Sequence, residues 1–289
     1  MHKIAVIQMH PKSRELEQNH SRAVAFIREA ATAGANLAVL PEYHLRDFDP
    51  DDENFRRQCT HCKKYLDAYC ALAKECHICV VPGSFAELHR NEETQEERLV
   101  NCTYFIDYNG VILGRYEKKN LWHPERPIVT GSVHDAHSCF DTPLGKVGML
   151  ICWDLAFPEA FKELIAQGAK LIIIPAFWKL TDASDVGMKR NPLSDQVFID
   201  ATVVSRAFEN TCAVVFCNVA GPAAEGYMGH SQVAVPFMGC LEKFSTPEEG
   251  LKIVEVDMDI VEEAESVYKI REDMGKQNWH YMYRHTRSR

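Results

Sequence analysis

The sequence predicts an α/β fold, a four-layer α-β-β-α sandwich with pseudo-two-fold internal halves. Short apolar strands alternate with amphipathic helices along the chain, which is typical of layered α/β folds. The strands are almost continuously apolar, so each sheet needs cover on both faces. The second half of the chain also repeats the strand pattern of the first. With 289 residues and 46% hydrophobic content, the chain can bury such a core without disulfides or a structural metal.

The predicted elements of the first half are strands and helices in alternation, closed by a hairpin at Asn109-Gly110. Its strands are predicted at 3–8, 36–40, 77–81, 102–107 and 111–116, and its helices at 17–32 and 55–74. In the second half, we expect a strand at 147–151, a helix at 158–167 and a last core strand at 252–257. Residues 1–265 are predicted to form one domain, and 266–289 a C-terminal tail.

Three pairs of segments carry the internal repeat. Residues 3–8 resemble 146–151, residues 33–41 resemble 167–175, and residues 73–81 resemble 207–215. The members of each pair are about 140 residues apart, far longer than a solenoid unit. The repeat therefore predicts two similar half-domains that face each other.

Charge and composition exclude several classes of function. The formal net charge of −9 argues against a nucleic-acid partner, which usually requires a basic face. The first residues turn polar too soon for a signal peptide, and no stretch approaches the ~18 apolar residues of a membrane span. Eleven cysteines, an odd number, are typical of reduced thiols in a cytoplasmic protein.

One cysteine arrangement leaves an alternative open. Cys59-x-x-Cys62 and Cys76-x-x-Cys79 have nearly the spacing of a zinc ribbon. The same region also has the pattern of a helix followed by a buried strand, in which cysteine behaves as a small hydrophobic residue. A non-catalytic zinc-binding or interaction protein is therefore one hypothesis for this chain.

Three chemically reactive residues follow predicted strands. Glu42, Lys118 and Cys152 each come at or just after a strand end, where ligand sites of α/β folds lie. Taken singly, the first two could be surface charges and the third a core thiol. Together they fit cysteine chemistry, because a thiol needs a base to ionise it and a cation can stabilise the oxyanion.

These residues lie in three blocks that resemble the nitrilase, or carbon–nitrogen hydrolase, superfamily. The blocks are Leu40-Pro41-Glu42, Tyr116-Glu117-Lys118 and Ile151-Cys152-Trp153-Asp154 with Phe157-Pro158-Glu159. The resemblance spans about residues 3–260. It implies the α-β-β-α sandwich, self-association near the nucleophile into a dimer or larger homo-oligomer, and a Glu-Lys-Cys triad that needs no cofactor or metal.

The resemblance also implies a role for each residue. Cys152 would be the nucleophile, Glu42 the general base and Lys118, rather than Lys119, the oxyanion stabiliser together with the backbone N–H of Trp153. A second family glutamate would correspond to Glu125. The candidate pocket walls are aromatic or lie on the loop at 121–131: Tyr43, Trp122, His123, Phe177 and Trp178.

The leading hypothesis is an enzyme that cleaves a small linear amide or N-carbamoyl compound and releases ammonia. Trp153-Asp154 after the cysteine favours this over a nitrilase, which is the alternative, and Ala156 replaces an arginine common in relatives. For assembly, we expect the helix at 158–167 and the aromatic segment 279–283 to form a dimer contact.

Overall fold

The structure, a computed structural model, describes residues 1–52 and 54–276. It confirms the predicted sandwich, in which two β-sheets are layered between helices. The thirteen strands within the described residues are β1 (His2–Gln8), β2 (Leu37–Val39), β3 (Cys79–Val81), β4 (Ser84–Arg90), β5 (Glu97–Ile106), β6 (Ile112–Glu117), β7 (Cys139–Thr142), β8 (Gly145–Met149), β9 (Leu171–Pro175), β10 (Ala213–Cys217), β11 (Gln232–Val235), β12 (Gly239–Lys243) and β13 (Gly250–Val256).

Eight α-helices accompany these strands in the described part of the chain. They are α1 (Leu16–Thr32), α2 (Phe55–Cys59), α3 (Cys62–Cys76), α4 (Pro158–Ala166), α5 (Ser184–Arg190), α6 (Ser194–Asn210), α7 (Asp259–Tyr268) and α8 (Ile270–Met274). Short 3-10 segments lie at Cys152–Ala156, Leu180–Ala183 and Ala223–Glu225. None of the described helices is both long enough and apolar enough to cross a bilayer.

The two sheets have the same core topology, as the repeat predicts. The first has the order β13-β1-β2-β3-β5-β4 with β6 on β5, and the second the order β7-β8-β9-β10-β11-β12. In each, three parallel strands stand at the centre with antiparallel strands on both sides. The parallel triplets β1-β2-β3 and β8-β9-β10 contain the segments that resemble each other in sequence.

Alternation along β1 explains the layering. Ile4 and Val6 belong to the apolar cluster between the sheets, whereas Ala5 and Ile7 belong to the cluster beneath α1 and α3. Successive side chains of a strand point to opposite faces. A strand covered on both faces must therefore be apolar at every position, and residues 4–7 are all buried.

The predicted helix at 55–74 is two helices in the structure. The helix is interrupted at Thr60 and His61, between α2 and α3. α3 ends at Cys76, and His77 after it has a left-handed backbone conformation. β4 was not predicted because its second half, Leu88-His89-Arg90, is exposed or half-buried and lacks an apolar pattern. β5 begins five residues earlier than expected, since it also pairs with β4.

The zinc-ribbon hypothesis is wrong for the two cysteine pairs. Cys62 begins α3 and Cys76 ends it, so a 15-residue helix separates the pairs. At ~1.5 Å per residue the two cysteines are about 20 Å apart, too far to share one ion. All eleven cysteines are free thiols.

Candidate active site

Glu42 lies where the first sheet meets the second. The residue follows β2, and its N–H donates to the carbonyl of Ala176, which follows β9 of the other sheet. Its Oε2 accepts the N–H of Phe177 at 2.9 Å. Gly83 allows its backbone to approach the residue before Glu42 closely, because a Cβ at position 83 would lie 1.9 Å from the carbonyl oxygen of Pro41. The backbone of both sheets thus fixes a carboxylate that is 1% exposed.

Lys118 connects Glu42 to Glu125. Its Nζ donates to Oε1 of Glu42 at 2.8 Å and to Oε2 of Glu125 at 2.7 Å, and all three side chains are buried. Lys119, its neighbour, donates instead to the carbonyls of Ser132 and Asp135. The two lysines therefore point to different places, and only Lys118 reaches the buried carboxylates.

Glu125 and Asn101 complete the network around the lysine. Oε1 of Glu125 accepts the Tyr43 hydroxyl at 2.7 Å, and Oε2 accepts the N–H of Trp122 at 2.8 Å. Nδ2 of Asn101 donates to Glu42 at 2.8 Å and to Glu125 at 3.3 Å. Sequence reasoning missed Asn101. The sequence feature that could have identified it is a polar side chain among the apolar residues of β5, because a buried polar group needs hydrogen-bond partners.

Cys152 begins the 3-10 segment that follows β8, with two residues between it and the end of the strand. Its backbone is left-handed, with φ of 48°, a conformation rare for a side chain with Cβ and typical of strained functional turns. The thiol is 6% exposed, and its Sγ lies 3.7 Å from the carbonyl oxygen of Phe177, the residue whose N–H binds Glu42. The backbone of Phe177 thus contacts both groups: its carbonyl faces the thiol of Cys152, and its N–H bonds the carboxylate of Glu42.

Asp154 fixes the turn that carries the cysteine. Its Oδ2 accepts the N–H of Ile151 at 2.9 Å and the Tyr116 hydroxyl at 2.8 Å, and its Oδ1 accepts the N–H and the side-chain amide of Asn120. Tyr116 and Asn120 lie two residues before and two residues after Lys118. Asp154 therefore couples the position of the thiol to the position of the lysine.

Burial and ion pairing set the charges of the site. Burial raises the pKa of Glu42 above its ordinary value, although the ammonium of Lys118 opposes this. Burial disfavours the charge of Glu125 too, but Lys118 and the hydroxyl of Tyr43 bring its pKa below the ordinary value. Burial and the nearby Glu42 raise the pKa of Cys152, so the thiol is protonated at rest. Glu42 is therefore the carboxylate better suited to take up a proton.

A cavity of ≈ 180 Å³ opens over these groups. Besides Lys118, Glu125 and Cys152, it is lined by Tyr43, Phe48, Trp122, Pro124, Trp153, Phe177, Trp178 and Asp182. The rings of Trp122 and Trp153 lie 4.5 Å apart, and those of Trp153 and Trp178 5.4 Å apart, measured between centroids. A second cavity, behind Tyr43, measures ≈ 20 Å³ and is too small for a substrate.

His123 is the predicted pocket residue that the structure places elsewhere. It is exposed and packs against the ring of Trp122, at 4.1 Å between centroids. The backbone turns here, with the N–H of Glu125 donating to the carbonyl of Trp122, and this turn directs His123 to the surface. Phe48, Pro124 and Asp182 line the cavity although sequence reasoning did not single them out.

Comparison with known proteins identifies the family. The family model described as carbon-nitrogen hydrolase matches residues 3–266. The chain is 30% identical to an omega-amidase of Homo sapiens over 91% of its length and 90% of that protein. It is 29% identical to a deaminated glutathione amidase of Bos taurus over 90% of its length and 78% of that protein. The chain belongs to the carbon–nitrogen hydrolase family and is an enzyme of the amidase type.

Solved structures agree with the fold. A carbon–nitrogen hydrolase of Helicobacter pylori G27 superposes with a TM-score of 0.81 at 20% identity, covering 96% of each chain. An amidase of Nesterenkonia from the nitrilase superfamily superposes with a TM-score of 0.72 at 21% identity, covering 93% of this chain and 95% of that one. At these identities the likeness concerns the fold alone.

Proposed function

We propose that this enzyme hydrolyses a small linear amide or N-carbamoyl compound, with Cys152 as nucleophile, Glu42 as general base and Lys118 as oxyanion stabiliser. The observation that carries the proposal is the placement of Lys118. Its buried ammonium is held at 2.8 and 2.7 Å by two carboxylates, in the wall of the cavity that Cys152 also lines. A cation and a thiol thus line one small space, and the proposed base is hydrogen-bonded to that cation.

In the first step, the proton of the Cys152 thiol passes to Glu42, and the sulfur forms a bond to the carbonyl carbon of the substrate. The carbonyl oxygen becomes an oxyanion, stabilised by the ammonium of Lys118 and the backbone N–H of Trp153. As the tetrahedral intermediate collapses, the carbon–nitrogen bond breaks. The leaving nitrogen takes the proton from Glu42 and departs as ammonia, leaving a thioester.

In the second step, a water molecule attacks the thioester carbon and gives a proton to Glu42. The carbon–sulfur bond then breaks, the acid leaves, and the thiolate recovers its proton from Glu42. A base with a raised pKa suits both proton transfers, because its pKa is then closer to the pH at which the enzyme works.

Glu125 and Asn101 act as positioning residues in this scheme. Glu125 bonds Lys118 and Tyr43, and Asn101 donates to both glutamates. Lys118 is therefore held by two acceptors before substrate arrives, so little reorganisation is needed as negative charge develops. The pKa of Glu125 is lowered, which suits a fixed negative charge rather than a proton carrier.

Two features favour amides over nitriles. Several relatives are named amidases, including the omega-amidase of Homo sapiens and the deaminated glutathione amidase of Bos taurus. Trp153-Asp154 after the cysteine also differs from the Trp-Glu of nitrilases that the superfamily resemblance implies. A small-molecule substrate is supported by the ≈ 180 Å³ cavity. A cytoplasmic site of action is supported by eleven free cysteines, which persist as thiols in reducing compartments.

The test is ammonia release from a panel of small amides, N-carbamoyl amines and nitriles. We expect release from amides or N-carbamoyl compounds, with loss of that release in Cys152→Ala. Cys240→Ala, which removes an exposed thiol on β12, is the matched control and should retain the wild-type rate. If only nitriles react, or if Cys152→Ala remains active, the proposal fails.

A further inference from the structure

One acidic side chain in the cavity has no part in the proposed reaction. Asp182 lies in the 3-10 segment Leu180–Ala183, just after Trp178, and lines the same cavity as Cys152 and Lys118. Its Oδ2 accepts the backbone N–H of Lys179 at 2.9 Å. This bond orients the carboxylate; the ammonium groups of Lys179 and Lys118 act on it only from a distance, without forming an ion pair.

Asp182 makes the cavity acidic. The positive charge of Lys118 is already matched by Glu42 and Glu125, with which it forms buried ion pairs. Within residues 1–52 and 54–276, Asp182 forms no ion pair, and the ammonium of Lys179 lies 4.0 Å from the ring centroid of Tyr227. The carboxylate of Asp182 is therefore the lining charge without a partner ion.

The charges around Asp182 keep it available to a cation. Burial raises its pKa to about 6, with a further contribution from the negative charge of Asp195, while the N–H of Lys179 and the more distant ammonium charges of Lys179 and Lys118 work against the shift without cancelling it. At pH 7.5 the carboxylate is still ionised. Asp195, whose Oδ1 accepts the indole N–H of Trp178 at 2.9 Å, adds a second negative charge on this side of the cavity.

The remaining walls are aromatic, which also suits a cation. Three indole rings and the rings of Tyr43, Phe48 and Phe177 line the cavity. The face of an aromatic ring attracts an ammonium or guanidinium group, most strongly for tryptophan. A carboxylate group of a substrate would instead meet the unpaired charge of Asp182, and like charges in one site repel.

We propose that the cavity selects substrates whose end remote from the reacting amide or ureido group is positively charged, an alkylammonium or guanidinium held by Asp182 and the surrounding rings. This inference rests on the proposed function and names the substrate class of the same site. It separates this enzyme from any relative that acts on amides bearing a carboxylate.

Three matched sets of linear amides test the charge preference. Amides of three to six carbons are compared with their ω-amino and ω-carboxy counterparts by ammonia release at pH 7.5. We expect kcat/KM to be at least about tenfold higher for the best ω-amino amide than for its unsubstituted match, given the strength of charge-assisted contacts, and lowest for the ω-carboxy amide. Equal rates, or preference for the ω-carboxy series, would overturn the inference.

Two variants assign the preference to Asp182. Asp182→Asn retains an oxygen that can accept the Lys179 N–H, so the 3-10 segment keeps its bond while the charge is lost. The ratio of kcat/KM between ω-amino and unsubstituted amides should fall to roughly one in this variant, as the charged contact is gone. Asp185→Asn, an exposed acid on α5, is the control and should keep the wild-type ratio. An unchanged ratio in Asp182→Asn would contradict the assignment.

Binding to an inactive variant separates this inference from the proposed reaction. Calorimetry of Cys152→Ala with 5-aminopentanamide, pentanamide and glutaramate measures the charge preference without turnover. Tighter binding of 5-aminopentanamide, absent in Cys152→Ala/Asp182→Asn, supports the inference even if wild type releases no ammonia. Ammonia release from all three amides with equal binding would leave the reaction standing and refute the charge preference.

Discussion

Lys118 and Glu42 form a buried ion pair, 2.8 Å between Nζ and Oε1, with side chains 1% and 2% exposed. Removing two charges from water is costly, and the pair is sustained here by further hydrogen bonds from Asn101 and the N–H of Phe177. Such an arrangement is unusual as a device for stability alone. It is suited to a site in which the charges must be fixed before a substrate binds.

Cys152→Ala should abolish ammonia release while the protein remains folded. The thiol is the proposed covalent nucleophile, and its loss changes little volume. Cys152→Ser should be nearly as inactive, because Glu42 cannot readily ionise an alcohol. Turnover measured beside circular dichroism and thermal unfolding distinguishes a lost nucleophile from a lost fold. Retained release from any wild-type substrate would exclude Cys152 as the nucleophile.

Lys118→Ala should lose far more activity than Lys119→Ala. Removal of a preorganised oxyanion donor typically lowers kcat by about 10²–10³-fold, whereas Lys119 bonds only loop carbonyls. Lys118→Ala also leaves Glu42 and Glu125 buried without their cation, which can cost about 3–5 kcal/mol of stability. Lys118→Met, which fills more of the space, should therefore be assayed alongside at a temperature where both remain folded. Similar kcat values for the 118 and 119 variants would refute the choice of lysine.

The acidic limb of the pH profile should lie above the ordinary glutamate pKa of 4.5. The base must be ionised to accept the thiol proton, so kcat/KM falls as pH drops through the raised pKa of Glu42. Asn101→Ala removes a donor that favours the ionised form, and it should shift this limb to higher pH. Lys118, Glu125 and Cys152 also face Glu42, and none of them changes in this variant. A lower kcat with an unmoved limb would indicate a purely structural role for Asn101.

The chain should form at least a dimer. The superfamily resemblance implies self-association near the nucleophile. Phe237, Met238, Val267 and Tyr268 are also exposed, and the rings of Phe237 and Tyr268 lie 5.5 Å apart between centroids, which forms an exposed apolar surface. The outward residues of α4 include Glu159, and its apolar residues pack inward, so this helix would contribute polar contacts. The segment 279–283 lies outside the described residues. Sedimentation equilibrium at micromolar concentration should give more than 32.9 kDa, the mass of one chain; that mass itself would contradict the prediction.

The features predictable from sequence are those with local signals. The repeat gives the two parallel triplets, β1-β2-β3 and β8-β9-β10, and the strand ends give Glu42, Lys118 and Cys152. Asn101 depends on which strands pair with β5, which no local pattern specifies. Asp182 lies in a 3-10 segment without periodicity, and only the folding of that segment against the cavity brings it near Cys152.

Glu42 and Lys118 follow strands of one sheet, whereas Cys152 follows a strand of the other. Neither repeated half carries both a base and a nucleophile. Two copies of either half could therefore not assemble the site, because such a pair would lack either the nucleophile or the base. The first half of the chain supplies the buried charges, and the second half supplies the thiol. Catalysis therefore depends on a fixed alignment of the two sheets, which the hydrogen bonds of Glu42 with Ala176 and Phe177 maintain.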